Sequence, residues 1–296
     1  MLAVLSAVAA PAAGATAFGL GDQDKRLFED KRFTALTKLR IVRYIAPWDV
    51  QYVPERRAAA EQWIHAARAG GYLVHVTFNY GARSPLRNPS VASYVKATKA
   101  FVDRHREDVE TWGVFNEVNR GLARGRFITP GPKLAAQLFT AFRTKVCVGC
   151  KVVGVDLLDG QTIVPTLRYL RTFKQNVKTQ PKIWGFHNYS DTNRASMQRT
   201  SAFLANISPK AGQVWITETG GLYRLGSTFA PSTLRQSAAT RQVFAIAKRY
   251  PRLSRVYLYN FFGPGPDRPD DIFDAGLVAG NGKARPAYSI VKTALR

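Results

Sequence analysis

Eight short runs rich in β-branched and aromatic residues alternate with helical runs along the chain, and this alternation constrains the fold more than any other feature. Several of the runs consist almost entirely of Val, Ile, Leu and aromatic residues, which is typical of strands buried on both faces. The predicted strands are Ala17–Leu20, Leu39–Ile45, Tyr72–Phe78, Thr111–Asn116, Lys151–Val155, Lys182–His187, Gln213–Glu218 and Arg255–Phe261. Strands that alternate with helices in this way predict an α/β fold with a parallel sheet.

The segments between the predicted strands have helical patterns. Pro54–Ala69 is the clearest, because Pro54 and Glu55 suit a first helical turn and Gly70-Gly71 ends the run. Further helices are predicted at Val91–Arg106, Pro132–Lys145, Thr162–Phe173, Arg199–Ile207, Pro231–Lys248 and Ala287–Leu295.

The number of strand–helix units predicts how the sheet closes. Eight units in 296 residues, with no linker rich in Gly, Ser or Pro, fit one closed (β/α)8 barrel, the TIM barrel, better than an open sheet. This single domain is expected to span residues 16–296. The Pro-, Gly- and Asp-rich segment Gly263–Asp271 follows the last strand and is predicted to be a surface loop.

The first 15 residues are predicted to be a signal peptide. Leu2 to Ala10 is an apolar run, and Ala13-Gly14-Ala15 has the small-x-small form of a cleavage site. The segment before the apolar run has no Lys or Arg, so a short apolar arm, or a start codon placed too far downstream, is the alternative. The signal-peptide interpretation predicts a secreted, extracellular protein.

Two cysteines, Cys147 and Cys150, lie three positions apart. In an exported protein this pair predicts a short-loop disulfide that closes a helix-to-strand loop. A zinc site would need two further ligands, and no histidine pair has ligand spacing in the sequence. A redox-active dithiol would need its own βαβ context.

The net charge is +23, with an isoelectric point near 10.4. Two interpretations stay open: attraction to an anionic polymer such as a cell wall, acidic polysaccharide or nucleic acid, or a solvated surface from an arginine-rich proteome. The basic residues are spread along the chain and form no block of five, and zinc-finger, P-loop and RNA-binding motifs are lacking. We expect no nucleic-acid partner.

We also expect no membrane span beyond the N-terminus, because no apolar run reaches about 20 residues.

Two carboxylates follow predicted strands directly, at the barrel edge where enzymes of this fold carry their sites. Glu117 closes the run Thr111-Trp-Gly-Val-Phe-Asn-Glu, and Glu218 closes Val214-Trp-Ile-Thr-Glu. Cleavage of a glycosidic bond needs such a pair, one carboxylic acid to protonate the leaving oxygen and one carboxylate to attack the sugar or activate water. The alternative is that each glutamate is simply the first polar residue of a loop. Other polar residues at predicted strand ends are Arg43, Asn79, Tyr80, Asn116, His187, Asn188, Tyr189, Tyr259 and Asn260.

These motifs resemble clan A of the glycoside hydrolases, the large group of retaining (β/α)8 enzymes. The matching residues are Phe115-Asn116-Glu117 after strand four and Ile216-Thr217-Glu218-Thr219-Gly220 after strand seven. The tail from Ala275 to Tyr288 also resembles the common end of these enzymes. The resemblance runs from about Phe18 to the C-terminus, is specific at the level of the clan, and is weak at the level of a family.

The resemblance implies roles for further residues. Asn116 would hydrogen-bond the sugar 2-OH, Tyr189 would hold or tune the nucleophile, and His187 would line the sugar site. Arg43, a cation beside Glu218, would keep that carboxylate ionised. The alternatives are a structural ion pair for Arg43, a hydrogen-bonded core residue for His187, and a rim aromatic for Tyr189.

One feature departs from the clan pattern. Many members carry a tryptophan near the end of strand eight as a platform for the reacting sugar, whereas here the run Tyr257-Leu-Tyr-Asn-Phe-Phe262 has none. Tyr259 is the candidate substitute, and its presence leaves the substrate family open. Trp48 and Tyr80 are further candidates for sugar-stacking faces, or else core or rim residues.

The sequence therefore predicts a retaining glycoside hydrolase that acts on a poly- or oligosaccharide as a monomer, without metal or organic cofactor. Glu117, with a pKa raised by the site, would be the acid/base, and Glu218 the nucleophile. One alternative is a non-catalytic barrel that binds cell wall or anionic polysaccharide. Another is a barrel acting on phosphate esters through the glycine loops at Gly220-Gly221 and Gly263. The sugar, the linkage, and endo or exo action are left open.

Overall fold

Eight parallel strands form a closed barrel in which each strand pairs with its neighbour in sequence and the last pairs with the first. The computed structural model describes residues 16–121, 123, 125–208, 210, 212–265 and 273–296. The strands are β1 (Ala17–Gly21), β2 (Ile41–Pro47), β3 (Leu73–Asn79), β4 (Val109–Gly113), β5 (Val152–Leu158), β6 (Ile183–His187), β7 (Gln213–Thr219) and β8 (Leu253–Tyr259). The predicted (β/α)8 barrel is thus confirmed. The predicted signal peptide, residues 1–15, and residues 266–271 of the predicted loop lie outside the described residues.

Helices separate the strands and cover the barrel. They are α1 (Lys31–Thr34), α2 (Pro54–Ala69), α3 (Val91–His105), α4 (Pro132–Ala141), α5 (Val164–Asn176), α6 (Tyr189–Asn193), α7 (Gln198–Ala205), α8 (Thr233–Arg249) and α9 (Pro286–Leu295). In α2, Ala60, Trp63, Ile64 and Ala67 are buried, which is the i, i+3, i+4, i+7 stripe of a helix packed on a sheet. None of the helices within the described part of the chain is both long and apolar enough to cross a bilayer.

Strand β4 ends earlier than the sequence predicts, at Gly113 instead of Asn116. The chain beyond it still follows the barrel, because the Asn116 amide donates to the Phe78 carbonyl at 2.7 Å. Glu117 then has a φ of 46°, in the left-handed region that favours glycine. This turn lies beyond the end of β4 and carries the Glu117 side chain out of the regular strand pattern.

The barrel interior has an apolar part and a polar part. A cluster made only of strand residues fills the first part, with Ile41, Val153, Ile183, Trp215 and Tyr257 at its centre. Further along the strands, towards their carboxyl ends, the buried residues are polar or charged and include Arg43, Thr77, Asp156, His187 and Thr217. The interior is therefore closed at one end, and its buried charges face the end where a barrel carries its site.

The disulfide predicted from the cysteine spacing is confirmed. Cys147 and Cys150 are bonded, with Cα atoms 5.5 Å apart. The bond closes the loop between the π-helical turn Phe142–Val146, which continues α4, and the start of β5.

Candidate active site

Glu117 and Glu218 meet at the carboxyl end of the barrel. Glu117 follows β4 and Glu218 lies near the end of β7, and each is only 7 % exposed. One oxygen of each carboxylate and one ring nitrogen of His187 lie within 4.8 Å of one another. The structure therefore brings together two buried carboxylates that are far apart in the sequence, at the edge of the barrel predicted for them.

Glu218 is held by two donors. The Arg43 guanidinium donates from Nη1 to Glu218 Oε2 at 2.8 Å, and the Tyr189 hydroxyl donates to Oε1 at 3.1 Å. Tyr189 is the first residue of α6, which begins directly after β6 and Asn188, so the strand end fixes its direction. Burial and then the Glu218 charge raise the pKa of Tyr189 well above its usual value, so the phenol remains a donor.

Arg43 is completely buried and links three strand ends. Besides Glu218, its guanidinium donates from Nη2 to Asn116 Oδ1 at 2.6 Å and to Asp156 Oδ2 at 2.9 Å. Burial lowers the pKa of Arg43, but the charges of Asp156 and Glu218 outweigh it and the net direction is upward. The guanidinium is therefore a permanent cation beside Glu218.

Asp156 supplies the second negative charge that Arg43 needs. Its carboxylate also accepts from the Thr217 hydroxyl at 2.6 Å and the Thr77 hydroxyl at 3.2 Å. Gly185 on β6 leaves the room for it, because a Cβ there would lie 1.9 Å from Asp156 Oδ1. A buried cation is tolerated when it is paired and hydrogen-bonded in this way.

Asn116 is oriented by the same guanidinium. Because its Oδ1 accepts from Arg43, its Nδ2 is the amide atom left to donate, and no residue in the described ranges accepts from it. The side chain is 6 % exposed and directly precedes Glu117. This arrangement suits a donor to a ligand hydroxyl at the mouth of the barrel.

Glu117 is surrounded by a different pair of groups. His187 Nδ1 lies 3.1 Å from its Oε1, and Arg120 donates from Nη1 to its Oε2 at 2.8 Å. Burial raises the pKa of Glu117, but the His187 hydrogen bond and the Arg120 charge overcome it and lower the pKa to about 2. The raised pKa expected from the sequence is therefore wrong for the free protein. Burial by itself would raise the pKa of Glu117, whereas its two cationic partners reverse the direction.

His187 responds to the same charges. It is fully buried, and burial lowers its pKa, yet the Glu218 charge and the Glu117 hydrogen bond raise the pKa overall. The proton of the hydrogen bond between the two side chains therefore lies on the His187 imidazole in the free protein, and Glu117 is the carboxylate. His187 is therefore a buried hydrogen-bond partner of Glu117.

Arg120 lies beside two stacked aromatic rings, Phe127 and Tyr80. Its guanidinium lies 5.1 Å from the centre of the Phe127 ring, and Phe127 stacks on Tyr80 with ring centres 4.3 Å apart. Its side chain is 48 % exposed, so it is the accessible partner of Glu117, whereas His187 is the buried one. Tyr80, a candidate sugar-stacking residue, is in this structure covered on one face by Phe127.

The other two aromatic candidates differ in position. Tyr259 ends β8, is partly exposed, and donates from its hydroxyl to Gln23 Oε1 at 3.0 Å. Its ring centre lies 6.1 Å from that of Phe273, so a tyrosine and a phenylalanine are close together where the clan pattern has tryptophan. Trp48 packs partly buried against the main core, with its ring centre 6.4 Å from Tyr94.

Glu117, His187 and Glu218 are also close enough to one another to hold a metal ion. Each carboxylate oxygen, however, already accepts a hydrogen bond, and two of the donors are the guanidinium groups of Arg43 and Arg120. A cation in this cluster would have to displace these partners and lie beside two positive charges. The arrangement therefore suits acid–base and nucleophilic chemistry better than metal binding.

Two residues of the site were missed in the sequence. Asp156 follows the predicted fifth strand just as Glu117 and Glu218 follow theirs, so the same reasoning applied to strand five would have found it. Arg120 lies in a loop among many arginines, and nothing in the sequence separates it from the others. Its contact with Glu117 depends on the turn at residues 116–120.

No protein-family model and no curated protein sequence matches the chain. Solved structures do match. A family 39 glycoside hydrolase from Bacteroides cellulosilyticus WH2 has a TM-score of 0.62 at 16 % identity, over 95 % of this chain and 63 % of that one. A family 5 enzyme (GH5_18) from Streptomyces cattleya, in complex with GlcNAc, has a TM-score of 0.69 at 15 % identity, over 95 % and 80 %. A psychrophilic family 10 endo-β-1,4-xylanase has a TM-score of 0.65 at 14 % identity, over 94 % and 96 %.

The chain thus spans less than two thirds of the family 39 enzyme and nearly all of the xylanase. At these identities the likeness is one of fold. The chain shares its closed (β/α)8 barrel with these glycoside hydrolases of families 5, 10 and 39.

Proposed function

We propose that this protein is a glycoside hydrolase that cleaves its substrate with net retention, by double displacement through a covalent glycosyl-enzyme. The separation of Glu117 and Glu218 carries the proposal. One oxygen of each carboxylate lies within 4.8 Å of the other, which favours the separation of about 5–5.5 Å between the carboxyl groups of retaining enzymes over the about 6.5–9.5 Å of inverting ones. A shorter gap leaves no room for a water between the second carboxylate and the sugar.

Glu218 is the proposed nucleophile. Arg43 and Tyr189 donate to its two oxygens and favour the ionised form that attacks the anomeric carbon. Both donors are themselves buried, so they also fix the direction of the carboxylate. As the ester to the sugar forms, the negative charge on Glu218 decreases and Arg43 remains balanced by Asp156.

Glu117 is the proposed acid/base. In the free protein Arg120 and His187 hold it as a carboxylate, which is the form that later activates water. To act first as an acid, it must carry a proton. His187 Nδ1 lies 3.1 Å from Oε1 and can supply one, while the half-exposed Arg120 is the partner that a bound substrate can displace. Glu117 then protonates the leaving oxygen, and Glu218 attacks.

The sugar-binding residues follow from this assignment. Asn116, with Nδ2 available, would donate to the hydroxyl next to the reacting carbon, and Tyr259 would contribute a face to the reacting sugar. The structural neighbours include a family 5 enzyme with GlcNAc, another with Manβ1-4GlcNAc, and the xylanase. These neighbours suggest which β-linked sugars to test first.

The alternatives have less support. A barrel that only binds polysaccharide has no need for two buried carboxylates with separate cationic partners. A phosphate-binding role for the glycines is disfavoured, because a Cβ at Gly220 would lie 2.3 Å from the Tyr259 carbonyl, and at Gly263 2.9 Å from Asp274 Oδ1. These glycines allow close packing within the protein. Export remains part of the proposal, and the disulfide between Cys147 and Cys150 supports it.

The proposal is tested with a panel of aryl β-glycosides and polysaccharides, including xylan and mannose- and GlcNAc-containing substrates, with phosphate release from aryl phosphates as the control. We expect reducing sugar or aryl release from at least one glycoside, with the anomeric configuration of the first product retained in proton NMR. A matching 2-deoxy-2-fluoro glycoside should label Glu218, as identified by peptide mass spectrometry. An inverted first product, or phosphate release alone, would refute the mechanism.

A further inference from the structure

A second cluster of histidine and acidic side chains lies outside the barrel, between α2 and α3. His65 lies on α2, His105 is the last residue of α3, and Asp108 lies in the turn that follows. The Asp108 amide donates to the His105 carbonyl at 3.1 Å, so the turn holds these two residues together. One ligand atom of each of the three lies within 4.8 Å of the others.

His105 is the unusual member of the cluster. It is only 2 % exposed, yet neither of its ring nitrogens has a hydrogen-bond partner. Nδ1 is 3.7 Å from Asp108 Oδ2, and Nε2 is 3.7 Å from Glu61 Oε1. The buried Glu61 Oε1 also has no hydrogen bond. Buried polar atoms in native proteins are nearly always paired. An imidazole with two buried, unpaired nitrogens is therefore a candidate for binding an ion.

We propose that His65, His105 and Asp108 bind a divalent first-row transition-metal ion, with Zn²⁺ as the reference ion. Two imidazole nitrogens and a carboxylate oxygen, completed by water, form a ligand set typical of zinc. The site is separate from the proposed active site and does not depend on the proposed function.

Glu61 gives the site the supporting carboxylate that metal-bound histidines usually have. When one nitrogen of a histidine binds a metal, the other normally donates to a carboxylate or carbonyl. Here Nδ1 of His105 faces Asp108 and Nε2 faces Glu61. Glu61 and His65 are four residues apart on α2 and therefore share one face of the helix.

The change needed on binding is small. Ligand atoms around a tetrahedral zinc ion are about 3.4 Å apart, given bonds of about 2.0–2.1 Å. Because the three ligand atoms already lie within 4.8 Å of one another, each distance must contract by at most about 1.4 Å. His65 is exposed and Asp108 is partly exposed, so both side chains can move without disturbing the core. Arg57 and Arg104 lie 3.8 and 3.6 Å from Glu61 Oε1, so they face the supporting carboxylate.

The test uses the purified full chain after treatment with a chelator. Zn²⁺ is titrated in by calorimetry, and Co²⁺ absorption in the visible range reports the coordination. We expect one saturable site per chain and a melting temperature higher by about 3 °C or more at saturating zinc, because an ion bound only to the folded state stabilises it.

Variants locate the ion. His65→Ala and Asp108→Asn should each weaken Zn²⁺ binding by at least about tenfold, and both positions are exposed enough for the fold to survive, which circular dichroism checks. Asp103→Asn removes the same charge from the exposed face of α3 and should bind like the wild type. Absence of saturable binding, or binding that persists in His65→Ala, would overturn the proposal. So would binding abolished by Glu218→Gln, because it would place the ion at the other cluster.

Discussion

The two carboxylates of the site differ in what surrounds them. Glu218 accepts from a permanent cation, Arg43, and from a phenol that stays protonated, Tyr189. Both donors are buried, so the environment of Glu218 favours the ionised carboxylate. Glu117 has one buried partner, His187, and one accessible partner, Arg120, so its environment can change when a ligand enters. This contrast, more than burial, distinguishes a fixed nucleophile from a group that must first give and later take a proton.

Replacing Arg120 tests this interpretation of Glu117. Arg120→Gln removes a cation that lowers the pKa of Glu117, so the pKa of the Glu117–His187 pair should rise. An acid is active while protonated, and therefore the alkaline limb of kcat/KM should move to higher pH, by about one unit because the side chain is half exposed. Arg126→Gln, which removes the same charge from an exposed position in the same loop, should leave the limb in place. A limb that stays or moves to lower pH in Arg120→Gln would contradict the account.

At the scale of elements, the strand ends of the barrel position the site through a few tight contacts. Strands β2, β5 and β6 meet where Asp156 pairs with Arg43 and lies against Gly185. Helix α6 begins at Tyr189 and is held by Asp159, whose Oδ2 accepts from the amides of Ser190 and Asp191. The site therefore depends on residues that would not contact a substrate.

Gly185→Ala should be strongly destabilising. Its Cβ would lie 1.9 Å from Asp156 Oδ1 and 2.9 Å from Thr217 Oγ1, so Asp156 must move away from Arg43. Loss of one partner from a buried ion pair costs about 3–5 kcal/mol. We expect urea unfolding to show a loss of this size and activity to fall with it. Gly131→Ala, where the added Cβ meets nothing within 4 Å, is the control. Near-normal stability and activity of Gly185→Ala would show that the Arg43–Asp156 pair does not organise the site.

Asp159 should make stability depend on pH. Burial raises its pKa to about 7, although the two backbone hydrogen bonds act against this. The folded state then binds an extra proton between about pH 4 and 7, so the stability from this group is present at pH 4 and lost as the pH rises through 7. Asp159→Asn keeps a neutral acceptor. Relative to the wild type, it should gain about 3 kcal/mol in urea unfolding between pH 4.5 and 8. The same wild-type-to-variant difference at both pH values would argue against this.

Much of the element pattern was predictable from the sequence, because buried parallel strands have long apolar runs and helices have clear stops. Pro54–Ala69 has the predicted bounds, whereas β4 spans Val109–Gly113 instead of Thr111–Asn116, and Glu117 beyond it lies in the left-handed region. The antiparallel pair Arg224–Leu225 and Phe273–Asp274 was not predicted, since two-residue strands have no periodicity. Contacts across the barrel, such as that of Arg43 with Asp156, depend on closure and register, which local patterns do not contain.

At the scale of the whole molecule, part of the positive charge has an internal role. Arg43 and Arg285 form buried ion pairs, and Arg255 pairs with Glu110 across the barrel strands. The remaining basic residues are spread over the chain. This distribution favours a solvated basic surface over a dedicated channel for an anionic polymer.

A solvated surface predicts a weak response to salt. On its best substrate, kcat/KM should change little between about 0.05 and 0.5 M sodium chloride, a range over which the Debye length shortens from roughly 14 to 4 Å. The same assay with a neutral aryl glycoside is the control for effects on the enzyme itself. A steep fall with the polymeric substrate alone would show instead that the charge steers an anionic substrate.

The stereochemistry of azide rescue distinguishes the nucleophile from the acid/base. Glu117→Ala keeps the nucleophile, so an aryl glycoside with a good leaving group should form the glycosyl-enzyme, and azide should release it as a glycosyl azide of retained configuration. Glu218→Ala lacks the nucleophile, so azide attacks directly and its adduct should be inverted. Proton NMR of each adduct reports its anomeric configuration. Retention in Glu117→Ala with inversion in Glu218→Ala is the predicted result, and the opposite pattern would contradict the assignment of the two glutamates.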